Sequence, residues 1–306
     1  MTEERWPRRL LLLVNPKART VSPARVQLIE KALSADFDLE VAETARRGHG
    51  AEAAAGAVAA GFDVLVVFSG DGTINEVVNG IAMTDTALGI IPGGATNVLS
   101  RVLGIPQDPV EAATTLIRHA LEARARRMHL GRANGRYFAI NCGVGLDAAV
   151  MSRVEAVGPR TKLAHERVAF FAALREVNSY IAGGDHLLVR VDGRPGVEAK
   201  AVLIAKQQPY AYFKSWGLKF HPRASGQAGL DVLALRKLSS LGVPRLAWQV
   251  FAGGLETNRN VDYSHDAGHV EVRGRGAFPV QVDGEYVGTF TDLGVELVRD
   301  ALWVIA

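Results

Sequence analysis

The sequence predicts an α/β domain with a parallel sheet, followed by a mostly antiparallel, β-sandwich-like domain with helical insertions. Three observations support this fold class. Apolar runs of strand length alternate with helical patterns over residues 1–125, which is typical of a parallel sheet covered by helices. Turn dipeptides separate β-patterned segments over residues 126–300. The chain of 306 residues is also long enough for two domains of ordinary size.

The first domain begins with an apolar run at residues 10–14, as expected for a strand that is buried on both faces. Ser22 and Pro23 then provide the N-cap and the first position of a helix. Strands are also expected at 39–42, 64–68 and 87–91, and helices at about 51–60, from 74 to 81, and after Asp108-Pro109. Since ligands of such sheets bind beyond the carboxyl ends of the strands, the loops 15–20, 70–75 and 92–97 form the candidate site.

The second domain is predicted from three dipeptides that favour hairpin turns, Asn134-Gly135, Asp192-Gly193 and Asp283-Gly284. Helical patterns interrupt the strands at about 147–157, 163–181 and 241–252. The last apolar run, at 302–305, predicts a strand within residues 301–306 that returns to the first domain.

Composition argues against several classes of protein. The net charge of +3 is too small for a dedicated nucleic-acid binder. Cys142 is the only cysteine, so no internal disulfide forms, as suits the cytoplasm. No apolar run approaches the roughly 20 residues of a membrane helix. We therefore expect a cytoplasmic protein whose membrane contact is peripheral.

Basic groups such as 124–127 are interpreted as solvated surface, with attraction to an anionic membrane as the alternative. The sequence does not fix an oligomeric state.

The most informative segment is Gly-Asp-Gly-Thr at residues 70–73, between an apolar strand and a helical pattern. Backbone N–H groups of such a loop, together with the helix N-terminus, favour phosphate. The carboxylate of Asp71 would repel phosphates unless a divalent cation or a water lies between them. The segment therefore predicts a site for nucleotide phosphates and Mg²⁺. A plain glycine turn, with Asp71 as a helix cap, is the structural alternative.

Several segments, in this order, resemble the diacylglycerol kinase catalytic family, the bacterial lipid kinases related to sphingosine and ceramide kinases. The fold of that family is shared with NAD kinases, which carry a similar Asp71 loop, as do phosphofructokinases. The ordered set is more specific than the loop alone and covers nearly the whole chain. The matching segments are Asn15-Pro16, 69–73, 75–80, 88–97, Arg101, 103–106, 141–148 and 282–285.

The resemblance implies ATP-dependent phosphorylation of a lipid hydroxyl, with Mg²⁺ as cofactor and the nucleotide between the two domains. It implies a catalytic role for Asp71 through the cation, directly or through water or phosphate, and it places Glu285 at the position of the general base. From the local sequence alone, Glu285 would be a surface residue after a turn. Nucleotide contacts are implied for Asn15, Pro16, Lys17, Ala18, Arg19, Thr20, Thr44, Gly70, Asp71, Gly72, Thr73, Ile74, Asn75, Glu76, Gly94, Ala95, Thr96 and Asn97. For Asn97, an N-cap role is equally open.

The chain departs from the family pattern at three positions. Ala95 and Val98 stand where the family often has threonine and aspartate, so a hydroxyl and a carboxylate are missing. Ala228 stands where some relatives carry an aspartate and hold a structural magnesium. A second metal site at Ser225, Ala228 and Leu230 is therefore doubtful, and we expect no metal there or only main-chain oxygens and water around it.

The predicted acceptor is a lipid that binds in an apolar cleft. An apolar cleft in the second domain should accept acyl chains, and the candidates are the helix at about 163–181, with Phe170, Phe171 and Tyr180, and the aromatic run 210–213 near Trp216. Both segments belong to a core more often than to a lipid site. The acceptor stays open between diacylglycerol, a sphingoid base, a monoacylglycerol and a phosphatidylglycerol-like lipid. The alternatives are a soluble-metabolite kinase that is similar to NAD kinase, and a catalytically weak protein that senses nucleotide or lipid.

Overall fold

The computed structural model describes residues 8–157, 180, 183, 186–213, 216–218, 220–237, 239 and 242–306. The chain divides into two units. One contains the residues up to 130 together with 298–306, and the other contains residues 131–297. Each unit has its own apolar core. The helix predicted at about 163–181, with Phe170 and Phe171, lies outside the described residues apart from Tyr180, and the side chains of the aromatic run at 211–213 and of Trp216 are also outside them.

The first unit is built on a parallel sheet with apolar central strands. Its strands are β1 (Arg9–Val14), β2 (Asp38–Glu43), β3 (Val64–Ser69) and β4 (Ala87–Pro92). They lie in the order β4-β3-β1-β2, and the end of the chain pairs in parallel with β4 through Trp303 and Ala87. Every residue of β3 and β4 is buried, which explains why these segments show no polar alternation.

Helices cover both faces of this sheet. They are α1 (Pro23–Leu33), α2 (His49–Ala59), α3 (Asp71–Ile81), α4 (Val98–Val102) and α5 (Pro109–Leu121). The helices α1 and α5 share one apolar core with alternate residues of the strands, whereas α2 and α3 pack against each other. The predicted caps are present, because the side chains of Ser22 and Asp108 accept hydrogen bonds from the first turns of α1 and α5.

The register of the sheet places three loops at the same edge. Val14 lies opposite Phe68, and Phe68 lies opposite Ile91, so β1, β3 and β4 end at one level. The loops that follow these strands are therefore neighbours, as the sequence predicted.

The second unit is β-rich and its strands pair antiparallel. The elements from the end of the first unit onward are β5 (Ala125–Ala133), β6 (Arg136–Phe138), β7 (Asn141–Gly145), α6 (Leu146–Val157), β8 (Leu187–Val191), β9 (Val197–Ala199), β10 (Ala201–Ala205), β11 (Ala211–Phe213), β12 (Trp216–Leu218), β13 (Leu230–Leu235), α7 (Val243–Ala252), a 3₁₀ turn (Leu255–Thr257), β14 (Val261–Ala267), β15 (His269–Val282) and β16 (Glu285–Ile305). The predicted fold class, an α/β domain followed by a β-rich domain, is confirmed.

The three turn dipeptides have the backbone that the sequence predicted. Asn134-Gly135, Asp192-Gly193 and Asp283-Gly284 all have positive φ at both residues, from 43° to 90°. This is the conformation of a type I′ hairpin turn, which asparagine, aspartate and glycine tolerate best. Within the described part of the chain, no helix is both long enough and apolar enough to cross a lipid bilayer.

Gly80 provides a test of the packing between α2 and α3. A Cβ atom at Gly80 would lie 2.4 Å from Cβ of Ala54 and 2.9 Å from the carbonyl oxygen of Ala51. We expect Gly80→Ala to lower the free energy of unfolding by about 2 kcal/mol, because the two helices must move apart. Urea unfolding followed by circular dichroism measures the change.

The matched control is Gly56→Ala in α2, where a Cβ atom would meet no other atom within 4 Å. This variant should be more stable than the wild type by about 0.5 kcal/mol, because alanine favours a helix over glycine. Equal stabilities for the two variants would contradict the close packing at Gly80.

Candidate active site

Hydrogen bonds join the loop after β1 to both neighbouring loops. The backbone N–H of Thr20 donates to the carbonyl oxygen of Gly93 at 3.0 Å, and its hydroxyl donates to the carbonyl oxygen of Pro92 at 3.1 Å. The side-chain amide of Asn15 donates to the hydroxyl oxygen of Thr73 at 3.3 Å. The structure therefore brings predicted residues of all three loops together at one edge of the sheet.

The loops after β3 and β4 are in direct backbone contact at two glycines. A Cβ atom at Gly70 would lie 3.0 Å from Cα of Gly94, and one at Gly94 would lie 2.7 Å from Cα of Gly70. The backbone N–H of Gly93 also donates to the carbonyl oxygen of Ser69 at 2.7 Å. Only glycine allows this approach at positions 70 and 94.

The helix α3 begins directly at this contact. Its N-cap is Gly70, which has no side chain to accept a hydrogen bond from the first turn, and Asp71 is the first helical residue. The N–H groups of a first helical turn have no acceptor within the helix, and they lie at the positive end of its dipole. This arrangement fits a phosphate group, and the oxygens of Asp71 are the ligand type that Mg²⁺ prefers.

Other residues of the predicted nucleotide loop support the fold. Both carboxylate oxygens of Glu76 accept backbone N–H groups from the start of α2, from Gly48 at 2.7 Å and from Gly50 at 2.9 Å. The side chains of Ile74 and Asn75 are buried within the unit. Sequence reasoning treated the loop as one block, whereas in the structure these three side chains contact protein.

Asn97 has a role that neither sequence interpretation described. It lies at the N-cap position of α4 with a positive φ of 49°, but its side chain makes no capping hydrogen bond. Instead its side-chain oxygen accepts the backbone N–H of Gly94 at 2.9 Å. Asn97 thus holds the second glycine of the contact in place.

The remaining predicted nucleotide residues differ in exposure. Thr44 follows β2, is buried, and donates its backbone N–H to the carbonyl oxygen of Val14 at 2.8 Å. Ala18, Gly72 and Thr96 are half-buried, and the exposed residues are Pro16, Lys17, Arg19 and Ala95. Lys17 and Arg19 are the two cationic side chains among them.

Glu285 lies in the second unit, at the start of β16. Its carboxylate accepts a hydrogen bond from the guanidinium of Arg136 at 2.7 Å, and its side chain is 18% exposed. The preceding turn is also fixed, because the carboxylate of Asp283 accepts the backbone N–H groups of Ala139, Ile140 and Asn141 at 2.9, 2.9 and 3.0 Å. Sequence reasoning did not identify Arg136, since nothing in its local pattern indicates a partner about 150 residues later.

A buried polar network supports the same turn from the other side. The side-chain oxygen of Gln281 accepts the backbone N–H of Gly284 at 2.7 Å. Its side-chain nitrogen lies 2.7 Å from the Asp147 carboxylate and 2.8 Å from the Tyr210 hydroxyl, which itself donates to Asp147 at 2.7 Å. Burial raises the pKa of Asp147, while these two hydrogen bonds lower it.

This network was also missed at the sequence level, although a signal existed. Asp147 lies in the segment 141–148 that carries the resemblance, but no role was assigned to it. A Cβ atom at Gly143 would lie 2.1 Å from the Asp147 carboxylate, so this glycine is needed for the network. Tyr210, from the aromatic run proposed as a lipid site, is buried here in a core cluster.

The turn at 225–228, where a second metal was doubted, is occupied by an ammonium group. The Nζ atom of Lys206 donates to the carbonyl oxygens of Ser225, Gly226 and Ala228 at 3.3, 2.9 and 2.8 Å. The lysine side chain is fully buried. Across the described residues, no group of three or more histidine, cysteine, aspartate or glutamate side chains could hold a metal ion. These carbonyl groups thus have a cation supplied by the protein itself.

Two family models match consecutive parts of the chain. The diacylglycerol kinase catalytic domain matches residues 9–133, and the YegS C-terminal NAD kinase beta sandwich-like domain matches residues 141–306. The chain belongs to the diacylglycerol kinase catalytic-domain family. It is therefore a lipid kinase, a phosphotransferase that uses an alcohol group as acceptor.

Individual relatives agree with this assignment. A protein named diacylglycerol kinase from Bacillus subtilis (strain 168) is 29% identical over 288 residues, covering 89% of this chain and 88% of the relative. A crystal structure of a diacylglycerol kinase from Bacillus anthracis str. Sterne has a TM-score of 0.73 at 23% identity and covers 99% of this chain and 98% of that one. An NAD kinase from Archaeoglobus fulgidus in complex with ATP has a TM-score of 0.57 at 14% identity, with coverage of 97% and 93%. The two structures show the shared fold.

Lys206 gives a prediction about stability. We expect Lys206→Met to lower the free energy of unfolding by about 3 kcal/mol, because buried carbonyl groups lose charge-assisted hydrogen bonds. Urea unfolding with and without added Mg²⁺ measures the effect. The control is Lys237→Met, at an exposed position of the same unit, which should change stability by less than about 0.5 kcal/mol. Equal unfolding midpoints for the two variants would contradict the structural role of Lys206.

Proposed function

We propose that the protein transfers the γ-phosphate of ATP to the hydroxyl of a neutral glycerolipid such as diacylglycerol. The observation that carries this proposal is the contact between Gly70 and Gly94 at the start of α3, which builds an anion site from three loops. The name of the Bacillus subtilis relative supports diacylglycerol as acceptor. ATP as donor is supported by the complex of the NAD kinase neighbour.

In this proposal, the amides of Gly70, Gly72 and Thr73 bind phosphate oxygens, and Asp71 holds Mg²⁺ directly or through water. The cation would supply neutralisation of the phosphate charge when bound. Lys17 and Arg19, both exposed on the loop after β1, add positive charge. Glu76, Asn97 and Thr20 act by holding the loops, so their contribution is positional.

Glu285 accepts the proton of the lipid hydroxyl in this proposal. Its carboxylate is oriented by Arg136, and the turn before it is anchored by the three amides that bind Asp283. A fixed carboxylate of this kind aligns the hydroxyl for attack, which matters because phosphoryl transfer depends mainly on positioning and charge. We also propose that the protein works in the cytoplasm, where ATP is available, and that it contacts the bilayer peripherally.

The first test concerns Asp71. We expect Asp71→Asn to lower kcat by at least about a hundredfold with ATP, Mg²⁺ and diacylglycerol in mixed micelles, because the cation loses its carboxylate. The control is Asp108→Asn, at the N-cap of α5 in the same unit, where asparagine caps equally well. Wild-type turnover by Asp71→Asn at saturating substrates would remove the assignment.

The second test concerns Glu285. Glu285→Gln should lower kcat by about a hundredfold while nucleotide affinity is unchanged, because glutamine cannot accept the proton. The chain offers a matched control in Glu296→Gln, since Glu296 on the same strand is paired with Arg132 in the same unit. An equal effect of the two substitutions would show that only a structural ion pair had been lost.

The acceptor is tested by incubating the protein with γ-labelled ATP and a panel of acceptors, followed by identification of the labelled product. Labelling of diacylglycerol above a sphingoid base, a monoacylglycerol, phosphatidylglycerol and NAD supports the proposal. Labelling of NAD alone would replace it with the soluble-metabolite kinase. Nucleotide binding without transfer to any acceptor would indicate the catalytically weak sensing protein.

A further inference from the structure

The helix α7 exposes a large aromatic side chain on its outer face. Trp248 is 72% exposed, more than any other large apolar residue among those that the structure describes. Arg245 and Ala252, three residues before and four residues after it, are exposed on the same stripe of the helix. On the opposite stripe, Leu246 and Val250 pack in the apolar cluster with Leu233 and Leu255.

The helix is held firmly from its inner face. Gln249 donates from its side chain to the carbonyl oxygen of Gly254 at 3.0 Å and accepts from the side chain of Asn258 at 2.6 Å. Both Gln249 and Asn258 are buried. The exposure of Trp248 therefore belongs to a helix that is anchored on its other side.

The segment around this helix is rich in exposed cationic side chains. Residues 236–260 contain four cationic side chains against a single carboxylate, Glu256. All four are exposed and none makes an ion pair with another described residue; they are Arg236, Lys237, Arg245 and Arg259. By contrast, Arg124 and Arg127, from the basic group first considered for membrane attraction, are paired with Glu122 and Asp85.

We propose that the face of α7 with Trp248 and Arg245 is the surface by which the protein binds an anionic lipid bilayer, and that the basic segment 236–260 adds to the attraction. Indole rings favour the boundary between head groups and acyl chains, because one edge is polar and the body is apolar. Arginine and lysine side chains near that boundary are attracted to anionic head groups. The surface gives the proposed lipid kinase a place at its substrate, but the binding itself requires neither ATP nor turnover.

The test is co-sedimentation of the full chain with vesicles of phosphatidylcholine, either alone or mixed with phosphatidylglycerol. We expect binding to the mixed vesicles that weakens with salt.

Trp248→Ala should lower the partition coefficient about tenfold. Arg245→Gln should lower it about fivefold, the equivalent of one basic residue at an anionic surface. Tryptophan fluorescence should shift to the blue with vesicles in the wild type and not in Trp248→Phe.

The controls are Met83→Ala, a second exposed apolar residue, and Arg118→Gln, a second exposed arginine, both in the first unit. Each should bind vesicles as the wild type does. Equal loss in the controls, or full binding by Trp248→Ala, would overturn the proposal. So would a wild type that is dimeric by light scattering and becomes monomeric on Trp248→Ala, since the face would then bind a second copy.

The kinase assay separates this inference from the proposed function. Trp248→Ala should keep wild-type turnover on a short-chain diacylglycerol dissolved as monomers and lose about tenfold on diacylglycerol in anionic vesicles. If Trp248→Ala turned over as fast as the wild type in both formats, the proposed membrane surface would be contradicted, whereas the proposed kinase activity would not.

Discussion

The backbone contact between Gly70 and Gly94 is the constraint on which the first unit's site depends. A Cβ atom at Gly70 would lie 3.0 Å from Cα of Gly94, and one at Gly94 would lie 2.7 Å from Cα of Gly70, so the two loops could not come this close with any other residue. Because β1, β3 and β4 end at the same level, the contact places the start of α3 at the centre of the loop edge. Thr20 and Asn97 then hold the flanking backbone, each through a hydrogen bond to Gly93 or Gly94.

The sequence predicted those features that follow from local pattern. Buried strands read as apolar runs, caps appear as Ser22-Pro23 and Asp108-Pro109, and hairpin turns require residues that tolerate positive φ. Glu76 shows where this reasoning ends. The family resemblance implied a nucleotide contact for Glu76, but its carboxylate accepts backbone N–H groups at the start of α2, more than 25 residues earlier in the chain. Such a partner depends on how α2 packs against α3, which local pattern does not encode.

Lys206 illustrates the same limit for charge. The sequence showed that Ala228 lacks the carboxylate expected at a metal site, and this suggested a missing cation. The structure shows that the cation is present as an ammonium group from the end of β10, bound by the carbonyl oxygens of the turn. The carboxylate missing at Ala228 is visible in one segment, and the ammonium group of Lys206 comes from another. Only the tertiary structure shows that the two segments meet. The buried ammonium also costs less than an isolated charge, because several dipoles face it.

The turn before Glu285 shows how a buried network can define the direction of a half-buried carboxylate. The carboxylate of Asp283 accepts three backbone N–H groups on one side of the turn, and the side-chain oxygen of Gln281 accepts the N–H of Gly284 on the other. Gln281 is itself fixed by Asp147 and the hydroxyl of Tyr210. The hydrogen bonds of the turn therefore fix the backbone at Glu285 without any help from its side chain. The ion pair with Arg136 then restricts the side-chain torsions of Glu285. A carboxylate restricted in this way loses little further entropy when it aligns a substrate hydroxyl, which is the physical advantage that a positioned base offers over one on a mobile loop.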